Sequence, residues 1–223
     1  MKNEMVTIPI TETEKVSGIL SIPDSGTETG VIIAHGAGND MNHPTLSFWA
    51  DGLTKEGYLT LRFNFLYRDK GKKSPDSQDV LYRAWQGAYR FLAEHPEHRP
   101  KHIVAAGKSM GGRIASQIVA EKKLPVERLI FLGYPLHAPG KKERVRDGHL
   151  YDIPIPMLFF AGTRDQLCDL QLLREVLSKL SAPWELEVIE GGDHSFHVPK
   201  SYAIDPTEIY DLIVCKTVEW LRG

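Results

Sequence analysis

Three residues carry the strongest chemical suggestion in this chain. Gly107-Lys108-Ser109-Met110-Gly111 is a G-x-S-x-G pentapeptide, Asp165 closes Gly162-Thr163-Arg164-Asp165, and His194 closes Gly191-Gly192-Asp193-His194. A serine hydroxyl is a weak nucleophile at neutral pH and needs a base, which an acid must orient. The chain order Ser, Asp, His fits a nucleophile presented between a strand and a helix, with acid and base just past later strands. His194 is expected to take the Ser109 proton and return it to a leaving group. Asp165 is expected to hold the imidazole through its Nδ1–H. Asp169 is a rival acid, but it suits a helix cap better. His197 is a rival base, but it lies farther from the strand end. His194 and His197 lack a third ligand at helical or hairpin spacing, so no metal is expected.

The glycines of the pentapeptide have a steric purpose. The chain must reverse sharply there, and side chains at 107 or 111 would meet neighbouring backbone. The amides that follow open a helix and point where negative charge can be stabilised. A tetrahedral intermediate needs two such donors. Met110 N–H is one candidate. The other is Ala37, with Gly38 next, because the apolar run Val31–Ala34 leads into His35-Gly36-Ala37-Gly38. Asn39, Tyr134, Leu136 and His137 are the candidate substrate contacts. Two phosphate-binding readings fail. A P-loop ending at Lys108-Ser109 needs glycine at position 102, which is His102, and 103–106 reads as strand. A dinucleotide fingerprint starting at Gly36 needs glycine at position 41, which is Met41, and no acid closes the next strand. No cofactor is expected.

The elements that must position these residues follow from hydrophobic period. Val6–Ile10 and Val16–Ile22 alternate, as an antiparallel pair with one wet face would. Val31–Ala34, Ile103–Ala106, Leu129–Leu132 and Met157–Phe160 are continuous apolar runs, the pattern of strands covered on both faces. Tyr58–Phe65 and Trp184–Ile189 complete the strands. Helical spacing appears after His43-Pro44, from Asp76–Gln78 to Leu92, over Ile114–Val119, over Leu170–Leu180 and after Asp205-Pro206. Ile209, Leu212, Ile213 and Leu221 are expected to face the core. Alternating strands and helices imply one α/β domain over 1–223 with a largely parallel sheet. An insertion at about 134–153 could form a small cap. Its Lys141, Lys142, Arg144 and Arg146 read as a solvated basic loop, the alternative being a phosphate or acidic-partner site.

Composition narrows the function classes. The chain has 223 residues with 27 basic and 29 acidic side chains. That balance lacks the basic excess of a nucleic-acid binder, so none is expected as partner. It is also what a site for small uncharged esters tolerates. No apolar run approaches the length of a membrane span, and no secretory leader is apparent, so a cytoplasmic location is expected, without a membrane partner. Cys168 and Cys215 are too few for a disulfide framework and are expected to be reduced and mostly buried.

The His35–Asn42, Gly107–Arg113, Gly133–His137, Gly162–Asp165 and Asp193–Ser195 segments together resemble the α/β-hydrolases. Within them the chain is similar to the dienelactone-hydrolase-like group, and nearest to the branch of testis-expressed and NSL-complex-subunit-3-like hydrolases. The resemblance implies a mostly parallel eight-stranded sheet flanked by helices, a triad of Ser109, Asp165 and His194, and no cofactor. Ser109 stands where the dienelactone hydrolases use cysteine, which sets their lactone substrate aside. The expected activity is a cofactor-independent serine hydrolase with minimal or no lid. Its substrate would be a small or short-acyl carboxylic ester or thioester. The competing expectation is an interaction module of hydrolase shape with an unused triad, because some relatives resemble scaffold subunits. Oligomeric state is left open.

Overall fold

The computed structural model describes residues 1–26 and 28–223. Eight strands form one sheet: β1 (Lys2–Pro9), β2 (Lys15–Ile22), β3 (Thr29–Ala34), β4 (Leu59–Phe63), β5 (His102–Lys108), β6 (Arg128–Leu132), β7 (Met157–Gly162) and β8 (Trp184–Ile189). Their spatial order is β1-β2-β4-β3-β5-β6-β7-β8. Strand β2 runs antiparallel to both β1 and β4, and every other pairing is parallel. This is the expected single-domain α/β architecture.

The parallel strands are apolar throughout because each feeds two cores. Val31 and Ile33 of β3, Val104 and Ala106 of β5, and Leu158 and Phe160 of β7 point to one face. Helices α1 (Pro44–Lys55) and α6 (Pro206–Arg222) cover that face, and Trp49 Nε1 donates to Thr217 Oγ1 at 3.1 Å between them. Ile32, Ala105, Phe131 and Phe159 point the other way. There α3 (Gln78–Ala93), α4 (Met110–Ala120) and α5 (Leu170–Leu177) cover the sheet. The period of two along a doubly covered strand thus divides one apolar run between two layers.

Some local expectations need correction. Strand β1 begins at Lys2 rather than Val6, because the backbone register with β2 extends to Lys2 opposite Ile22 although the side chains there are exposed. A four-residue helix, α2 (Leu66–Asp69), follows β4 where strand and loop were expected. Leu212 is exposed, not core. The buried stripe of α6 is Ile209, Ile213, Thr217 and Trp220, and Leu212 stands about 100° round the helix from Ile213. Cys215 on the same helix is exposed, while Cys168 is buried. Between β6 and β7, loops and a 3₁₀ turn at Gly148–Asp152 occupy the expected insertion. Among the described residues no helix is long and apolar enough to cross a membrane.

The carboxyl ends of β7 and β8 are stitched together. Arg164 N donates to Gly192 O at 2.9 Å, and Thr163 N to Ile189 O at 3.1 Å. A Cβ on Gly162 would stand 2.1 Å from Gly192 O. Backbone cannot yield as a flexible side chain would, so Gly162→Ala is expected to cost about 3 kcal/mol or more, at the upper end of overpacking penalties. Urea denaturation measures this, and an unchanged midpoint would contradict the packing described.

Candidate active site

Ser109 is the hinge between β5 and α4, with φ 51° and ψ −116°. A left-handed φ on a residue with a side chain is strained and persists only where the surroundings enforce it. Here they do. A Cβ on Gly107 would be 2.3 Å from Gly112 N, and one on Gly111 would be 2.6 Å from Ala34 O. The chain can therefore pack β5, the first turn of α4 and the end of β3 against one another only with glycine at both positions. Ser109 N donates to Leu132 O at 3.0 Å and fixes the turn against β6.

The structure brings Ser109, His194 and Asp165 together. His194 Nε2 lies 2.8 Å from Ser109 Oγ, and His194 Nδ1 lies 2.7 Å from Asp165 Oδ2. A carboxylate accepts, so Nδ1 donates and Nε2 is left to accept from the serine hydroxyl. Asp165 Oδ1 accepts from Leu167 N at 2.7 Å, and its side chain is wholly buried. Gly133, with φ 65°, lies under the imidazole: a Cβ there would be 3.0 Å from His194 O and 3.3 Å from Nδ1. The rivals are employed elsewhere. Asp169 Oδ1 caps α5, accepting from Gln171 N at 3.0 Å and Leu172 N at 3.1 Å. The His197 ring is exposed beside Asp193, and its backbone closes the turn around that residue.

Ala37 and Met110 line one cavity with Ser109. The amides of both residues are without a hydrogen-bond partner among the described residues. Gly38 N is engaged, donating to Tyr67 Oη at 3.3 Å. The loop carrying Ala37 is held from β4 and its sequel. Met41 N donates to Asn64 Oδ1 at 2.8 Å, and Arg62 Nη1 donates to Met41 O at 2.9 Å. His35 is wholly buried behind it. Its Nδ1 is 2.8 Å from Gly36 O, and its Nε2 accepts from Phe65 N at 3.1 Å. Both ring nitrogens are committed in the neutral form.

The four candidate substrate residues lie apart from that cavity. Tyr134, Leu136 and His137 are buried. Tyr134 Oη donates to Arg146 O at 2.9 Å, and His137 Nε2 accepts from Asp169 N at 3.0 Å. Asn39 is half-buried and is not among the lining residues. The lining comes instead from Pro75, Asp76, Leu81, Arg113, Arg146 and Leu167, beside Ser109, Ala37 and Met110. Lys108 is a further residue that sequence reading did not single out. It is buried, and its Nζ donates to His194 O at 2.9 Å while lying 5.7 Å from the Phe196 ring centroid. Burial lowers its pKa to about 8. A lysine inside the pentapeptide was the signal, since a buried cation must find an acceptor. The described residues hold no cluster of three or more metal-ligating side chains.

Burial lowers the His35 pKa to about 4. An imidazole in the unfolded chain titrates near 6.5, so the unfolded state binds a proton first as pH falls. His35 therefore contributes stability that is full above about pH 6.5 and lost as pH falls to about 4, up to about 3 kcal/mol. Thermal unfolding across that window is expected to show a shallower slope in His35→Gln. An equal slope would show that His35 is not the titrating group.

The match to known proteins agrees with this fold. The family model described as Alpha/beta hydrolase domain matches residues 27–222. A crystal structure of dienelactone hydrolase from Anabaena variabilis is 22% identical, covers 99% of this chain and 97% of its own, and superposes with a TM-score of 0.75. An alpha-beta serine hydrolase homologue from Coxiella burnetii is 21% identical over 97% of this chain and 98% of its own, with a TM-score of 0.76. A Mycobacterium tuberculosis protein bearing the name Putative phosphoribosyl transferase is 25% identical over 187 residues, 82% of this chain. This chain spans about 40% of that relative's length. A family model that covers nearly the whole sequence, on an eight-stranded sheet of this order, establishes that the chain belongs to the alpha/beta hydrolase domain family.

Proposed function

We propose that this protein is a cofactor-independent serine hydrolase that cleaves a small or short-acyl carboxylic ester or thioester. The observation that carries the reading is the unbroken relay from Asp165 Oδ2 through His194 to Ser109 Oγ, at 2.7 and 2.8 Å. Ser109 Oγ attacks the substrate carbonyl carbon and its proton passes to His194 Nε2. The carbonyl oxygen becomes an oxyanion between the Ala37 and Met110 amides. Each such donor is typically worth about 2.7–4 kcal/mol of transition-state stabilisation. Collapse breaks the bond to the alcohol or thiol, which leaves with the proton from His194. Water then gives a proton to His194 and attacks the acyl-serine, and the acid departs as Ser109 is reprotonated.

Several features support a small substrate. The cavity over Ser109 is about 360 Å³, near the lower end of pockets for drug-sized ligands. The loop between β6 and β7 brings Pro135 and Arg146 to its wall rather than a helical lid across its mouth. The Asn39–Asn42 and Tyr134–His137 segments, which carry the likeness to the testis-expressed and NSL-complex-subunit-3-like branch, buttress the site. The place in that branch belongs to the same proposal.

Ser109→Ala is expected to reduce p-nitrophenyl acetate hydrolysis by at least about 10³-fold, as loss of a triad nucleophile does. A variant as fast as the parent would sink the reading. Lys108→Met should release the His194 carbonyl and misplace the base. Its kcat is expected to fall by roughly 10-fold or more with KM near the parental value. An unaltered kcat would contradict a positioning role for Lys108.

A further inference from the structure

The cavity over Ser109 is lined by two guanidinium groups that form no ion pair among the described residues. Arg113 and Arg146 both line it. Neither has an ion-pair partner among the described residues, whereas Arg68 pairs with Asp40 and Arg222 with Glu56. Lys142, four residues before Arg146, is paired with Asp169. The protein contacts of the two arginines are long: Arg113 Nη1 is 3.4 Å from Gln117 Oε1, and Arg146 Nη1 is 3.5 Å from Pro135 O. Each guanidinium carries five donors in a planar fork, so each keeps donors beyond its single long protein contact, and both residues line the cavity.

Both residues are held in place by their backbones. Arg113 N donates to Ser109 O at 3.0 Å, which puts it one helical turn, about 6 Å, from the serine. Arg146 N donates to Leu136 O at 2.7 Å, and its carbonyl accepts from the buried Tyr134 hydroxyl at 2.9 Å. Burial lowers the Arg113 pKa and the Arg146 charge lowers it further, while none of its influences is a carboxylate. Two like charges kept close without a counterion are costly unless a ligand supplies one. The acid on the cavity wall is Asp76, whose Oδ2 already accepts from Tyr67 N at 2.7 Å. Two cations and one acid leave one positive charge, which matches a carboxylate better than a phosphate dianion. The chain's near-neutral total hides this local excess.

We propose that Arg113 and Arg146 form an anion subsite, and that the natural substrate is an ester or thioester bearing a carboxylate a few atoms from the scissile bond. This rests on the serine-hydrolase reading of the same cavity. It replaces the uncharged substrate suggested by overall composition with a singly charged one. Tyr134 and Leu136 then serve the substrate indirectly, as the anchors of Arg146.

The test pairs charged esters with neutral ones of the same shape. Mono-p-nitrophenyl glutarate is compared with p-nitrophenyl valerate for a carboxylate on the acyl side. 4-Acetoxybenzoate is compared with phenyl acetate for one on the leaving side. A preference of roughly 10-fold or more in kcat/KM is expected for at least one charged ester, the size of a charge-assisted contact. That ratio should collapse toward unity in Arg113→Gln and in Arg146→Gln, the second on an exposed loop residue where folding is not at issue. Binding gives an independent readout. At constant ionic strength, glutarate should raise the unfolding temperature of the parent and of Ser109→Ala more than inorganic phosphate does, and should lose that effect in either arginine variant. No charged preference and no glutarate effect, or effects that survive both substitutions, would overturn the subsite. Arginine-dependent glutarate binding without hydrolysis of any ester would instead leave the subsite standing and remove the hydrolase reading.

Discussion

The site depends on one close contact, that of the first turn of α4 with the ends of β3 and β5. Backbone approaches backbone there with no space for a Cβ at Gly107 or Gly111. That approach forces Ser109 into a left-handed conformation and lifts its hydroxyl clear of the sheet. The same turn carries the Met110 amide, so the proposed nucleophile and one proposed anion donor come from a single turn. Because β3 and β5 pair from Thr29 opposite His102 to Ala34 opposite Gly107, the second proposed donor, Ala37, is placed by the same register. The strain is local, and the two apolar cores on either side of the sheet hold it.

Around the elbow, several buried polar side chains reach backbone partners. His35 spends both ring nitrogens on backbone of two loops. Arg62 and Asn64 reach from β4 to the Met41 peptide. Lys108 reaches from the end of β5 to the His194 carbonyl. Hydrogen bonds in a low-dielectric interior constrain the segments they join. Here they tie the loop after β3 to β4 and its sequel, and the end of β5 to the loop after β8, along the rim of the site. Arg113 and Arg146 are the exception on that rim. They have only long hydrogen bonds and no ion pair among the described residues, which is the ground of the proposed anion subsite.

Much of this was legible in the sequence, for definite reasons. Buried parallel strands are apolar runs, so Ile103–Ala106 and Met157–Phe160 announced β5 and β7 within a few residues. Asp205 and Asp169 announced their helices as caps, and both side chains accept from the first-turn amides. The chain order of Ser109, Asp165 and His194 was readable because each follows a strand. What escaped lay where no period speaks. Helix α2 is a single turn, and Leu212 differs from its buried neighbour Ile213 only by rotation about α6. The cavity wall also escaped: Asp76, Arg113 and Arg146 come from three loops and helices whose meeting is set by the fold, while Tyr134 and His137 sit behind the wall rather than in it.

The central claim is that Ser109 is a nucleophile activated in place by His194 and Asp165. Its most direct test is reaction of the folded protein with a fluorophosphonate probe, followed by tandem mass spectrometry of the peptide containing Gly107–Arg113. The account predicts one adduct per chain, located on Ser109 and absent after heat unfolding or His194→Ala substitution. Folded protein that remains unlabelled, or label on another residue, would contradict it and favour an interaction module that keeps the shape of a hydrolase without its chemistry.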